Sequence, residues 1–525
     1  MALLRKPSNN RKRSVADPSD IYHSLAPLWK KSRAILQGQS NVKAHDDLID
    51  RSYGNLLLPF SPSMTQAQYD FYRSEAELPG LTSQYARVLI SSLLRKRSQL
   101  TLPEELTNLA ASDPMEWIET NFTLDGRSLF NFLDMALWEE LQTSRAWVYV
   151  DFPQVSDEQF FNLTPEERDT VNPYPVLLKA EHVINYHTNM HPITRKRTLT
   201  RLVTRYVRED YSNNQWHPDY IDTVCDHYLD DEGKLVLNYY RKKDSTHDVQ
   251  VLNGDISREY AESASESGFE LYDTVYPMKF GERLGKIPAW PLNGHIDPVE
   301  PVLMPLIDRE ASLYNKVSRR NHLLYGAATY TPIVSSDMSD EEFEELVGAG
   351  LGTWLRVRAG ESVSVLETPT SALSDMDRAI DNTVNEMAKM GIRMLSPEQA
   401  ASGIALEIRN SSQTAQLGTL NAKVSSTMES VIAFMLNWKY GTDYSSRDIE
   451  FSLSSDFSPM VGGNESMRLV SEWYQSGLIS RSTWLNIAKF NDFLPADYDD
   501  EEAIQEIQTD PLTQQVPDDQ VDIEE

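Results

Sequence analysis

Apolar positions recur every three or four residues through most of residues 20–150. "IYHSLAPLWKKSRAILQGQ" sets Ile21, Leu25, Leu28 and Ile35 at helical spacing, and "TSQYARVLISSLLRK" does so with Tyr85, Val88, Leu89, Ser92 and Leu93. "SLFNFLDMALWEELQTSR" carries the strongest such pattern. It runs straight into "AWVYVDFP", a β-branched and aromatic stretch that stops at Pro153, as a strand should. Between 174 and 290 the period shortens to two. "YPVLLKAEHVINYH", "LTRLVTRYVRED", "DTVCDHYLDDEGKLVLNYYRK", "HDVQVL" and "FELYDTVYP" read as strands, with a hairpin turn at Asp231-Glu232-Gly233 between Cys225–Leu229 and Leu235–Tyr240.

The helical period returns after "GKIPAWPLNG". Leu303, Leu306, Ile307, Tyr314, Val317 and Leu324 lie near one face of a long helix, with a break expected at Pro305. "TYTPIVSS" follows as a strand. "SDEEFEELVGAG" is a short helix with Ser339 and Glu342 at capping-box spacing, and "TWLRVRAGESVSVLET" is a hairpin turning at Gly360-Glu361. A second helix stripes Met376, Ile380, Val384, Met387 and Gly391, so two helices bracket an α/β insert at 326–370. "IRMLSPEQAASG" is a loop. A longer helix from Ser411 stripes Leu417, Leu420, Val424, Met428, Val431, Ile432, Met435 and Trp438. "RDIEFSLSSDF" is one strand, and two short helices joined by Gly-Leu-Ile-Ser close the patterned part at 471–507. No internal repeat of fixed period is present.

Composition narrows the classes of function. The apolar fraction is 40%, enough for real cores. Lys and Arg total 49 against 79 Asp and Glu, a net charge of −30, the opposite of what tight phosphate binding needs. The lone cysteine, Cys225, excludes a disulfide framework and any multi-cysteine metal site. No apolar run reaches the length of a membrane helix, and the polar start "MALLRKPSNNRKRSVADPSD" lacks a signal-peptide core. Arg5, Lys6, Arg11, Lys12 and Arg13 make a basic arm, while from Asp497 onward acids occur with no Lys or Arg. Both ends read as solvated tails.

Catalytic constellations are weak. His187 and His191 are four apart in "HTNMH", but no glutamate follows His187 and the surroundings read as a loop. Asp219, Asp222, Asp226, Asp230 and Asp231 could serve a metal-dependent hydrolase, yet they flank a hairpin and are expected to face water. "GAGLG" at 348–352 lacks the Lys-Ser/Thr of a phosphate loop and reads as a helix stop. No nucleophile elbow occurs, and no cofactor and no enzymatic activity are expected.

The order of elements resembles the portal proteins of tailed bacteriophages. "WKKSRAILQG" through "AWVYVDFP", "SGIALEIRNSSQTAQLGTLNAKVSSTMESVIAFMLNW" and "GLISRSTWLNIAKFNDFLPADYDDEEAIQEI" are each similar to family segments, and the likeness spans roughly 20–507. The fold class it implies is α+β: a mixed α/β wing, an α-helical stem, a small α/β clip, a tunnel loop and a helical crown. The boundaries are a basic arm at 1–19, wing at 20–300, stem helices at 301–325 and 371–391, and clip at 326–370. The tunnel loop takes 392–410, the long helix and return strand 411–464, the crown 465–507 and the acidic tail 508–525. The arm and the tail depart from the family pattern.

The resemblance implies a dodecameric ring at one capsid vertex, a channel for double-stranded DNA packaging and ejection. Terminase and head–tail adaptor proteins would dock on it, major capsid or scaffolding protein would surround it, and no membrane is involved. Its place would be the virion, and the host cytoplasm during assembly. A different ring-forming virion or adaptor protein is the alternative. Net negative charge suits a wall that must let DNA slide, since firm phosphate contacts are costly to break. Candidates for the few centring cations are Lys316, Arg319, Arg320 and Arg393, which the stem helices could instead pair with Asp375 or Asp377. Met394, Ser396, Glu398 and Gln399 are channel candidates in the tunnel loop. Glu341, Glu342, Glu344, Glu345, Arg356 and Arg358 are candidates for docking on the clip. Trp473, Leu478, Ile479, Trp484 and Leu485 are expected to form the crown core.

Overall fold

The computed structural model describes residues 14–48, 57–58, 65–106, 113–153, 162–164, 167, 170–212, 214–242, 268–328, 331–335, 339, 362–366, 371–390, 403–454, 468, 471–476, 480–481 and 484–485. The chain is mixed α and β, and it divides into two units at Asp456/Phe457.

The first unit opens with α1 (Asp20–Leu36), α2 (Gln39–Leu48), α3 (Gln66–Glu75) and α4 (Leu81–Leu93). Strand β1 (Gln99–Thr101), α5 (Pro114–Thr120) and α6 (Leu129–Thr143) follow. Local chemistry sets several starts. Ser19 accepts from Tyr22 N, Thr65 and Gln68 form a capping box, Asp113 precedes Pro114 at the first helical position, and Ser128 accepts from Asn131 N. Of the expected stripe on α1, Ile35 is buried and Leu25 and Leu28 are half-buried, but Ile21 is exposed, and Trp29, Ser32, Arg33 and Leu36 also go inside. Ser32 donates to Gln142 O at 2.6 Å, and Arg33 is neutralised by Glu139 and Glu181 across the core.

Helix α6 ends at Ser144, a left-handed residue with φ of 51° that turns the chain into β2 (Trp147–Asp151). Strand β2 lies between β3 (Tyr174–Leu178) and β11 (Ala289–Pro291). The larger sheet is an antiparallel meander of β4 (Val183–Met190), β5 (Arg197–Asp210), β6 (Asp219–Leu229), β7 (Leu235–Lys242) and β8 (Phe269–Val275). The expected turn between β6 and β7 forms, with Gly233 at φ of 73°. Strands β9 (Met278–Lys279) and β10 (Glu282–Arg283) make a small hairpin.

This meander is covered on both sides, which explains the burial of β6. One face carries Val203 and Val224, packed with Ala16, Ile184, Tyr22, Tyr240 and Phe269. The other carries Cys225 and His227, the latter edge-on to Tyr149 of β2. Two of the acids expected to face water, Asp222 and Asp226, therefore do not, while Asp219 and Asp230 are half-exposed and Asp231 exposed. Asp222 is 0% and Asp226 1% exposed. Each is answered from β5: Arg205 Nη2 lies 2.8 Å from Asp222 and Arg201 Nη2 2.5 Å from Asp226. These are diagonal cross-strand pairs on one face of the ladder.

Helix α7 (Met304–Ala328), β12 (Thr331–Ser335), β13 (Ser362–Leu366), α8 (Ser371–Lys389), α9 (Gly403–Tyr440) and β14 (Glu450–Ser452) complete the unit. Pro305 does not break α7, because the helix starts at Met304 and a proline in the first turn gives up an N–H that has no helical acceptor. Strand β13 pairs antiparallel with β12, Thr331 opposite Leu366, while 351–361 lies outside the described residues. Helix α9 begins at Gly403, eight residues before the expected start, so 403–410 is helical rather than loop. Its stripe from Leu417 to Trp438 is buried as expected apart from half-buried Leu420, and 431–436 is buried all round, so this helix runs through the core.

In the second unit, Leu485 is buried and Trp484 half-buried, with its ring 5.7 Å from Tyr474 and Nε1 donating to Ser471 Oγ at 3.3 Å. Trp473, expected in this core, is 48% exposed. Tyr474, one position on and about 100° further round the helix, takes the contact instead. Leu478 and Ile479 lie outside the described residues.

Candidate functional site

The candidate site is the antiparallel pair of α7 and α8, which brackets the β12–β13 ladder. Three contacts fix its direction. Arg309 lies 3.2 Å from Glu386, Lys316 Nζ donates to Thr383 Oγ1 at 2.5 Å, and Arg320 Nε donates to Asp377 at 2.6 Å. Residue numbers rise on one helix as they fall on the other. Between these polar rungs Tyr314, Ser318, Thr383 and Met387 are buried. The stripe on α8 thus turns slightly from the expected one: Thr383 takes the inward place and Val384 lies at its exposed margin.

The expected centring cations are now placed. Lys316 and Arg320 turn toward α8. Arg319 turns toward α3, where its guanidinium meets the Tyr72 hydroxyl; burial raises the pKa of that phenol and Arg319 lowers it. Asp377 takes Arg320 as a partner, while Asp375 pairs with Arg378 on its own helix at 2.6 Å. The first pair is half-exposed and the second exposed, and each contributes about 0–1 kcal/mol. Arg393, Met394, Ser396, Glu398 and Gln399 fall outside the described residues, as do Glu341, Glu342, Glu344, Glu345, Arg356 and Arg358.

The base of α7 is anchored by a residue that the periodicity marks and leaves unexplained. Glu310 sits on the apolar stripe between Ile307 and Tyr314 and is fully buried. Its carboxylate accepts from Gly80 N at 2.8 Å, Leu81 N at 3.3 Å, Thr82 N at 3.2 Å and Thr82 Oγ1 at 3.1 Å. Helix α4 starts at Gly80, which has no side chain to cap it, so Glu310 supplies the cap from 230 residues away. The negative charge also meets the positive end of the α4 dipole. Burial pushes the Glu310 pKa up, and the backbone N–H donors oppose that.

Two more buried clusters support α7 from behind. Arg33 of α1 donates through Nε to Glu181 at 2.7 Å and through Nη1 to Glu139 at 2.9 Å, and its Nη2 also meets Glu139. Two carboxylates around one guanidinium satisfy its fork and hold its pKa well above the usual value despite burial. At the α6–β2 turn, Glu140 accepts from Asn293 Nδ2 at 3.0 Å and Ala146 N at 3.1 Å. Burial raises its pKa to about 8. Ser144 Oγ accepts from Val302 N at 2.9 Å, and Arg145 Nη1 donates to Ile296 O at 2.6 Å. The segment leading into α7 is thereby stitched to the core.

The sequence-level metal candidates are otherwise engaged. His187 lies in β4 rather than in a loop, and His191 Nδ1 accepts from Thr194 N at 3.1 Å and Ile193 N at 3.3 Å. Asp222 and Asp226 are held by arginines. Among the described residues no three His, Cys, Asp or Glu groups converge as a metal site. No helix among them is long and apolar enough to cross a membrane.

Comparison with known proteins adds the following. A family described as a domain of unknown function (DUF4055) matches residues 303–439, from the start of α7 to the end of α9. No curated protein matches the chain. Similar solved structures include a chain in the virion of a native gene transfer agent particle, at 11% identity and a TM-score of 0.35, covering 81% of this chain and 93% of that one. Others come from the neck of the empty particle with C6 symmetry (10%, TM-score 0.38, covering 79% and 91%). A third comes from the neck of the native particle with C12 symmetry (9%, TM-score 0.31, covering 81% and 94%).

Proposed function

We propose that this chain is a portal-type subunit, a structural protein that closes into a dodecameric ring at one capsid vertex and passes double-stranded DNA. The observation that carries the reading is the arrangement from 304 to 440. Two long antiparallel helices bracket a β-ladder, and a 38-residue core helix follows. In this reading α7 and α8 are the stem, β12 and β13 belong to the clip, the meander belongs to the wing, and residues 465–507 are the crown.

The net charge of −30, repeated around a ring, makes the channel wall mostly repulsive to DNA. The pairing of Arg320 with Asp377 and of Lys316 with Thr383 supports that, since it leaves those cations less free to grip phosphate. The clip would dock terminase during packaging and head–tail adaptors afterwards through Glu341, Glu342, Glu344 and Glu345. Residues 394–401 would line the narrowest part; their deletion should leave rings intact and impair packaging.

Electron micrographs of the purified protein test the proposal. Rings with a central hole near the duplex width, about 20 Å, are expected. A protein that stays monomeric at every concentration and salt would refute it.

A further inference from the structure

Resting on that ring reading, we infer that neighbouring copies engage through the β4–β5 hairpin tip of one chain and the outer face of α6 on the next. The tip is an electrostatic exception. From His182 to Arg208 the chain holds six Lys or Arg and no Asp or Glu, so the remaining residues carry −36. Three of these cations are neutralised: Arg197 by Asp297 at 2.5 Å, Arg201 by Asp226 and Arg205 by Asp222. Among the described residues no carboxylate pairs with Arg195 or Lys196, at the turn itself. Beside them Ile193 is 85% and Met190 47% exposed.

The turn is already rigid. His191 N donates to Lys196 O at 2.9 Å, and His191 Nδ1 accepts from two backbone N–H groups. A preformed apolar tip ringed by unpaired cations loses little entropy when it docks.

A complementary surface exists on the same chain. Phe130, Asp134 and Met135 share the outer side of α6, with Phe130 47% and Met135 42% exposed. Glu119 is exposed on α5, which packs on α6. Arg127, the nearby cation on that side, is held by Asp125 at 3.3 Å. Each surface therefore has two exposed apolar side chains and charges that no ion pair engages among the described residues, of opposite sign on the two. Two different, complementary patches on one chain make a head-to-tail contact, the type that closes into rings.

A charge-swap mixture tests this with the full chain. Variant R195E/K196E has an acidic tip; variant E119K/D134K has a basic α6 face. All four positions are exposed, so circular dichroism and melting should match the wild type for both. By mass photometry each variant alone should need about tenfold more protein to assemble. A one-to-one mixture, in which every contact again joins opposite charges, should assemble as the wild type does. Variants that assemble normally alone, or a mixture that stays unassembled, would overturn the interface and leave the ring reading intact. A wild type that never assembles would overturn both.

Discussion

Replacing Glu310 by alanine tests whether α7 and α4 are joined as described. The substitution removes the acceptor of three backbone N–H groups and of the Thr82 hydroxyl. Gly80 and Leu81 are half-buried, so water can reach their amides once the side chain is gone. Thr82 is fully buried, and its N–H would be left without an acceptor. Loss of a helix cap costs about 1–2 kcal/mol, and an orphaned buried donor about 1–3 kcal/mol more. The expected total is about 3–4 kcal/mol. Glu310→Gln should cost roughly half that, since it keeps one acceptor oxygen but turns an amide NH2 toward donors. Two readouts check it: the urea midpoint of the full chain, and amide exchange over 81–85, which should speed up more than exchange over 88–93. A loss below about 1 kcal/mol with unchanged exchange at the start of α4 would show that Glu310 is not the cap.

Arg33→Ala should cost about 3–5 kcal/mol, because Glu139 and Glu181 then share a buried site without a cation. The urea midpoint of the full chain reads the loss. Glu140, raised to about 8, holds its proton in the folded state where the unfolded chain has lost it. It therefore lowers stability as pH rises from about 4.5 to 8, by up to about 5 kcal/mol. Glu140→Gln should flatten that decline, and a melting series that keeps the wild-type slope would count against it. His227, lowered to about 4 by burial, acts oppositely. The unfolded chain takes its proton first, so stability falls as pH drops from about 6.5 to 4, by about 3 kcal/mol. His227→Gln should remove that acid limb in the same series. Asp222→Asn removes the carboxylate that faces the buried Arg205 guanidinium and should cost about 3–5 kcal/mol in chemical unfolding.

Much of the architecture is legible along the chain, because period and punctuation act locally. The strand that ends at Pro153, the β6–β7 turn and the buried stripe from Leu417 to Trp438 need only neighbours in sequence. Pro305 misleads for a local reason too: its effect depends on where the helix starts, and that boundary lies one residue before it. Asp222 and Asp226 read as solvated because sequence cannot show that β5 lies alongside with an arginine for each. The same limit hides Glu310. An acid on an apolar stripe marks a buried charge, but the groups it serves lie 228–230 residues away.

The sequence by itself determined most of the helical and strand segments, though not that 403–410 is helical, together with the strong acidity and the order that resembles a portal subunit. Only the tertiary structure decided which charges are neutralised inside and which stay free. Charge neutralisation depends on distances between residues far apart in the chain, and those distances exist only once the elements are packed.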